Sequence, residues 1–320
     1  AVLDNGWLRY APRDRASDHP PGAYGLARPA ASRRPPHPAP PKELRPHMTD
    51  NRPIGLFDSG VGGLTVLDAV ARRLPGEDLL YLGDTARLPY GTKSPETVRR
   101  YARRAVSLLL SRGVKALVVA CNTASALALD AIVDEARGVP VLGVVEPGAR
   151  AALRTARGVT GAAAEAPIAV LATEATVASD AYGRAIRSLD PSRAVMNVAC
   201  PLFVPLAEEG WTENDVAREA AKLYLAPVVD AGARVVVLGC THYPLLARTI
   251  AAALPEGTLL VDSAASTAVE VEALLGTEGR RAGEAGETHL LVTDSSERLR
   301  RVAGRFLGRE AAALELVDLP

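Results

Sequence analysis

"RVVVLGCTHYPLLARTI" (residues 234–250) decides how this chain reads. Its opening run is aliphatic and β-branched, as buried strands are, and it stops at Gly239. A thiol, a hydroxyl and an imidazole follow in succession, Cys240, Thr241 and His242, before apolar residues resume at helix spacing. A second stretch has the same plan. "ALVVACNTASALALDAI" (116–132) is again an apolar run, a small residue, a cysteine (Cys121), two polar residues with a threonine among them, and an apolar helical pattern. The segments upstream also correspond. "IGLFDSGVGGLTVL" (54–67) and "IAVLATEATVASDAY" (168–182) are each a strand-like run ending in a hydroxyl-bearing loop that leads into a helix. Cys121 follows Ser59, and Cys240 follows Thr173, at nearly equal intervals. The pattern predicts two α/β halves built on one plan, as after a duplication.

Outward from these segments the alternation continues. Further strand-like runs are "DLLYLG" (78–83), "VLGVV" (141–145), "RAVMNVA" (193–199) and "TLLVD" (258–262). Helical patterns separate them. In "SPETVRRYARRAVSLLLSRG" (94–113), Ser94 suits the N-cap, Pro95 the first turn and Gly113 the exit. Strand–helix alternation of this kind predicts two pseudo-symmetric, doubly wound α/β domains with mostly parallel sheets. Ligands in such sheets sit beyond the carboxyl ends of the strands, so the active site is expected in the cleft between the two halves. Each half then delivers one cysteine, from opposite sides. Two like acid/base groups on opposite faces of one substrate suit the inversion of a carbon stereocentre: one removes the proton and the other returns one.

Composition narrows the alternatives. Hydrophobic residues make up 48% and charged residues 23%, the profile of a globular chain long enough for two cores. The 37 basic and 37 acidic residues cancel, so no global field points to nucleic acid or an anionic membrane. Three cysteines without a CxxC spacing make no disulfide framework and favour a reducing compartment. With no signal-type or membrane-length apolar run, the cytoplasm is the expected location. The chain has 24 prolines, and the first 48 residues are dense in proline and arginine and lack an amphipathic period. They read as a disordered leader or a misassigned start, with Met48 as the natural first residue; a genuine disordered extension is the other reading.

Five ordered motifs, "IGLFDSGVGGLTVL", "YLGDTARLPYG", "VVACNTASALA", "NVACPLFVPL" and "VVLGCTHYPLL", together resemble the glutamate racemases from about Pro53 to the end of the chain. That family is cofactor-independent and makes D-glutamate for peptidoglycan. The resemblance implies that Cys121 and Cys240 are the catalytic acid/bases. It implies a substrate-binding set of Asp58, Ser59, Tyr90, Gly91, Asn122, Thr123, Thr241 and His242. It places Asp58 near Cys121, and His242 with Glu208 near Cys240, as groups that assist proton movement. It implies a first domain of residues 49–146 plus 255–320 and a second of 147–254, with "THLLVTDSSERLRRVAGRFL" (288–307) returning to the first. One departure stands out: the family usually has glycine where this chain has Ala172, before Thr173.

The chemistry such a site demands agrees with its residue types. The α-proton of an amino acid is a very weak acid, and nothing in the chain marks a pyridoxal cofactor. The four lysines, Lys42, Lys93, Lys115 and Lys222, lie outside the loops that follow the cysteine strands. Carbanion stabilisation must then come from placement and from a water-poor cleft. A free thiol is mostly protonated at neutral pH, so each cysteine needs help to act as a base. A helix N-terminus after each sulfur, His242 beside Cys240, and Asp58 as a proton acceptor or ammonium ligand are the candidates. Free N–H groups at loop 59–63 and the hydroxyls of Thr123 and Thr241 can hold carboxylates without an arginine clamp.

The plainer readings differ. A cysteine after an aliphatic strand is usually a small buried hydrophobe, and Cys200 in "VACPLF" is left as such. Asp58 and His242 are each also readable as caps, and Glu208 in "EEG" equally as a solvated helix end. Cys121, Cys240 and His242 lack a further ligand at zinc-site spacing, so no metal is expected. "GVGG" lacks the Lys–Ser/Thr of a phosphate loop. Three functional rivals remain at this level: a racemase acting on glutamate, one acting on aspartate or a related acid, and a binding protein that has lost turnover. The expected partner is a small-molecule substrate, with neither nucleic acid nor membrane; the sequence leaves the oligomeric state open, and a homodimer is compatible with it.

Overall fold

The valine- and leucine-rich runs become short strands, and those at 54–58, 79–83, 116–119, 168–172 and 235–239 are buried throughout. In the computed structural model, which describes residues 50–276, 285–309 and 313–319, the strands are β1 (Ile54–Asp58), β2 (Leu79–Gly83), β3 (Ala116–Val119), β4 (Val141–Gly143), β5 (Ile168–Ala172), β6 (Val195–Ala199), β7 (Val235–Gly239), β8 (Leu259–Asp262), β9 (Thr288–Val292) and β10 (Leu314–Leu316). The segment read as a leader, residues 1–48, lies outside the described residues. Every strand pairing among the described residues is parallel. One sheet has the order β10-β9-β2-β1-β3-β4 and the other β6-β5-β7-β8. Remove β9 and β10, and the two orders are the same plan: second strand, first, third, fourth.

Register carries the correspondence further. Phe57 pairs with Val119 in the first sheet, and Ala172 with Gly239 in the second. Asp58 and Thr173 therefore leave the central strand at comparable positions, and Cys121 and Cys240 leave the strand beside it. Both sheets lie within one compact unit, Pro46–Pro320.

Helices cover both faces, as parallel sheets require. In chain order they are α1 (Leu64–Arg73), α2 (Pro95–Ser111), α3 (Asn122–Leu127), α4 (Leu129–Glu135), α5 (Val145–Ala156), α6 (Glu174–Ser179), α7 (Ala181–Leu189), α8 (Phe203–Glu209), α9 (Asp215–Asp230), α10 (Ala247–Ala252), α11 (Ser263–Leu275) and α12 (Glu297–Leu307). Helix α2 shows why the local sequence folds as it does. Ser94 accepts a hydrogen bond from Thr97 N at 3.3 Å, Pro95 occupies the first turn, and Val98, Ala102, Ala105, Val106 and Leu109 form the buried face. Gly113 leaves the helix at φ +73°, a conformation glycine adopts without strain. No helix among the described residues is long and apolar enough to cross a membrane.

The structure corrects the sequence reading in two places. The run at 141–145 is a strand only to Gly143, and α5 begins at Val145. Residues 259–262, placed in the first half, hydrogen-bond to β7 and close the second sheet, so the chain crosses back beyond Asp262 and not at 255. A lone apolar strand carries no information about which sheet will accept it. From there α11 packs between α1 and α5, and β9 pairs with β2.

Candidate active site

Cys121 follows β3 at the start of α3, in an extended conformation with φ −66° and ψ 118°. Its sulfur accepts a hydrogen bond from Ala124 N at 3.4 Å, and its thiol donates to Ser59 Oγ at 3.4 Å. The residue is 5% exposed. Burial, with the neighbouring Asp58 charge added, pushes its thiol up to about 12.

Asp58, at the end of β1, accepts from Gly60 N through Oδ2 at 2.9 Å. Its Oδ1 is buried and has no hydrogen-bond partner among the described residues. Burial raises its pKa; the charge of His242 and the N–H groups of Gly60, Gly63 and Ser59 oppose the rise without cancelling it.

Cys240 follows β7 and is 6% exposed. The expected α-helix does not begin there. Thr241 and His242 form a turn, Tyr243–Leu246 is a 3₁₀ segment containing Pro244, and α10 starts only at Ala247. Proline lacks an N–H and opens a turn more readily than it continues one. What stands beside this sulfur is a side chain. His242 Nδ1 lies 4.0 Å from Cys240 Sγ and 3.4 Å from Thr241 Oγ1, and Nε2 lies 3.2 Å from Glu208 Oε1. Burial alone would lower the imidazole pKa, but the Cys240 and Glu208 hydrogen bonds override it and push His242 up to about 10. Burial works upward on Glu208 as well, yet the His242 hydrogen bond and charge, with Arg298 adding, leave it below the usual carboxylate range.

Helix α12 supports this pair from behind. The Phe306 ring meets His242 edge-on at 5.0 Å, Arg298 lies 3.8 Å from Glu208 Oε2, and Arg305 donates to the Glu208 carbonyl.

The two strand-end sets meet. A Cβ on Gly62 would stand 2.3 Å from Thr241 Oγ1, and one on Gly91 would stand 2.7 Å from Thr173 Cβ, so these loops approach as closely as glycine allows. Thr123 shares hydrogen bonds with Thr173 at 3.1 Å and Thr176 at 3.2 Å, and Tyr182 donates to Asn122 Oδ1 at 2.7 Å. The Asn122 Nδ2 group is buried without a partner among the described residues. A cavity of about 270 Å³ draws its walls from both halves, with Leu88, Pro89 and Gly91 on one side and Thr173, Pro201 and Glu208 on the other. No group of three or more His, Cys, Asp or Glu side chains among the described residues is placed to hold a metal ion.

The chain has known relatives. Residues 55–271 match the Asp/Glu/Hydantoin racemase family. The chain belongs to this family. A protein of Geobacter metallireducens named glutamate racemase is 50% identical over 268 residues, spanning 83% of this chain and 96% of that one. The crystal structure of glutamate racemase from Thermus thermophilus in complex with beta-chloro-D-alanine is 47% identical with a TM-score of 0.73, covering 84% of this chain and 98% of the other. That from Francisella tularensis in complex with D-glutamate is 36% identical with a TM-score of 0.77, again covering 84% and 98%. As a member of the Asp/Glu/Hydantoin racemases, the protein is an isomerase.

Most of the residues that the resemblance singles out in this racemase stand together: Asp58, Ser59 and Cys121 with Asn122 and Thr123 on one side, Cys240, Thr241, His242 and Glu208 on the other. Tyr90 differs. Its ring is buried in the first core, and its hydroxyl donates to Asp84 Oδ2 at 2.7 Å; of the pair, Gly91 is the residue that stands against Thr173. Glu208 sits near the end of α8 as the reading of a solvated helix end requires, but its carboxylate turns inward to His242. Ala172, in place of the usual glycine, ends β5 fully buried, and Thr173 still caps α6 by accepting from Thr176 N at 3.4 Å. The sequence reading missed Thr173, Thr176 and Tyr182 as parts of the site. Only Thr173 had a signal, as the repeat counterpart of Ser59.

Proposed function

We propose that this racemase interconverts L- and D-glutamate by direct proton transfer at Cα between Cys121 and Cys240, without a cofactor. The observation that carries the proposal is the pair of thiols at matching exits of two like sheets, both buried, each with a different proton partner. Cys121, pushed up to about 12, is a neutral thiol at neutral pH. His242 is then an imidazolium, and a thiolate on Cys240 would have that cation 4.0 Å away. On this proposal Cys121 serves as the acid and Cys240, with His242 beside it, as the base.

In the proposed step the Cys240 thiolate takes the α-proton, forming an S–H bond as Cα–H breaks. The electron pair passes into the α-carboxylate. The Cys121 thiol delivers its proton to the opposite face, leaving the configuration inverted and the two sulfurs exchanged in protonation. The reverse direction begins from that exchanged state.

Unsatisfied groups supply the binding argument. Buried polar atoms without partners are rare and point to a ligand. The orphan Asp58 Oδ1 suits the substrate ammonium, and the orphan Asn122 Nδ2 a carboxylate oxygen. Hydroxyls of Ser59, Thr123, Thr173 and Thr241 supply donors for the rest. Glutamate is chosen over other amino acids because the relatives that span nearly the whole of their own length carry that name. In the cell the product would be D-glutamate for peptidoglycan, made in the cytoplasm.

Circular dichroism with L- and D-glutamate, and with both enantiomers of aspartate, tests the reading. Loss of ellipticity from either glutamate enantiomer is the expected result; turnover of aspartate alone would refute the substrate. Deuterium entering Cα from D₂O, mainly in the newly formed enantiomer, is expected of two bases, whereas a binding protein incorporates none.

A further inference from the structure

Tyr182 lies on α7, away from both sulfurs in sequence, yet it touches the neighbour of each. Its hydroxyl donates to Oδ1 of Asn122, the residue after Cys121, at 2.7 Å. Its ring lies against Gly239, the residue before Cys240: a Cβ there would stand 3.1 Å from Tyr182 Cε2. The other ring edge faces Gly148 of α5, where a Cβ would stand 3.1 Å from Cε1 and 3.2 Å from the phenol oxygen. Ser263, at the start of α11, borders the same space, its Cβ 3.3 Å from the point a Cβ on Gly148 would occupy. Tyr182 is 1% exposed. Rings enclosed on this scale do not move independently of their neighbours.

We propose that Tyr182 is the positioning residue that sets the geometry between the two thiol loops, its ring spacing the Cys240 loop and its hydroxyl orienting Asn122. This deepens the two-thiol reading above and rests on it. The hydroxyl decides which way the Asn122 amide faces. With Oδ1 occupied by the phenol, Nδ2 is directed to where it has no protein partner. Without the phenol the amide is free to turn, and half its orientations present an oxygen to a substrate carboxylate. The ring acts separately. It occupies the volume that the missing side chains of Gly148 and Gly239 leave, and so holds the turn from which Cys240 projects. Misplacing a reacting group by about 1 Å can cost about a hundredfold in rate.

The two roles separate experimentally. Tyr182→Phe keeps the ring and deletes the hydroxyl: KM for glutamate is expected to rise about tenfold, the worth of one buried hydrogen bond, with kcat within about twofold. Tyr182→Leu removes the ring, and kcat is expected to fall about a hundredfold. A double-mutant cycle isolates the amide. If the hydroxyl acts through Asn122, Tyr182→Phe changes KM by less than about twofold in an Asn122→Ala background. An unchanged KM in Tyr182→Phe would overturn the proposal, as would the same change in both backgrounds. So would equal losses of kcat in the Phe and Leu variants. Should Tyr182→Leu lack a cooperative thermal transition, the Phe variant and the cycle decide alone. Failure of the underlying two-thiol reading looks different: wild type inactive on glutamate, or Cys121→Ala or Cys240→Ala retaining racemisation.

Discussion

Replacing Glu208 with glutamine tests the proton chemistry at Cys240 through one charge. The amide keeps the size of the side chain and an oxygen for His242 Nε2, now 3.2 Å from Oε1. What it removes is the negative charge that, with the Cys240 hydrogen bond, pushes the buried imidazole up to about 10. A charge-assisted hydrogen bond contributes about 1.5–3 kcal/mol and a neutral one about 1. The difference, about 1.4 kcal/mol, corresponds to about one pH unit. The sign comes from the charged form. The imidazolium is present below its pKa and is lost as pH rises through it, so the variant loses it earlier, near pH 9.

If the imidazolium is needed, kcat/KM should be unchanged within about twofold at pH 7.5 and about fivefold below wild type at pH 10. Racemisation supplies an internal check. Its equilibrium constant is one, so kcat/KM must be the same from either enantiomer, and the basic limb must fall at the same pH in both directions. The assay is circular dichroism at 0.5-unit pH steps, with the His242 ring titrated by NMR alongside. A limb that stays in place in Glu208→Gln would refute the argument. A loss of equal size at pH 7.5 and pH 10 would show that Glu208 acts by some means other than its charge on His242.

The remaining predictions concern the sulfurs, the loops and the buried frame. Cys121→Ala and Cys240→Ala should each lower racemisation at least about a thousandfold, as loss of an acid/base group does, while thermal unfolding stays cooperative; near-normal rates in either would contradict the two-thiol step. Gly62→Ala should lower kcat about a hundredfold by moving the Cys240 turn, because its new Cβ would stand 2.3 Å from Thr241 Oγ1 and 2.7 Å from His242 Nδ1. Lys115→Met should do the reverse, costing about 3–5 kcal/mol in denaturant unfolding by breaking the buried Lys115–Glu77 pair, with kcat of the folded fraction unchanged.

What the sequence disclosed was whatever repeats along the chain. Eight of the strands announce themselves as mostly apolar runs, interrupted internally only by Asn197 of β6, because parallel strands are covered on both faces. β9 and β10 do not: Thr288 and His289 break the first, and Leu314–Leu316 is largely exposed at the sheet edge. The cysteines were legible because two segments share one order of residue types. Contacts made across the cleft leave no such trace. Thr123 meets Thr173 from 50 positions away and Tyr182 meets Asn122 from 60, at spacings no helix or strand period marks. At Tyr90 the motif gave no hint that the ring would be buried, with its hydroxyl on Asp84.

Under the proposed two-thiol step, two halves on one plan must give their sulfurs different surroundings. Duplication of a strand–loop–helix unit yields the same exit twice, and with it the same placement of sulfur. A racemase built on two bases needs the opposite of sameness at the moment of binding, since one sulfur must hold a proton and the other must lack it. The divergence lies in the residues C-terminal to each cysteine. After Cys121 comes α3, and the nearby ionisable group is a buried carboxyl, which opposes a second negative charge. After Cys240 the helix is replaced by a turn, and that turn carries His242 to the sulfur, with Glu208 and α12 behind it. On the proposed mechanism, Pro244 and the loss of the α-helical start belong to the chemistry: a regular helix N-terminus at this point would place backbone N–H groups beside the sulfur in place of the imidazole.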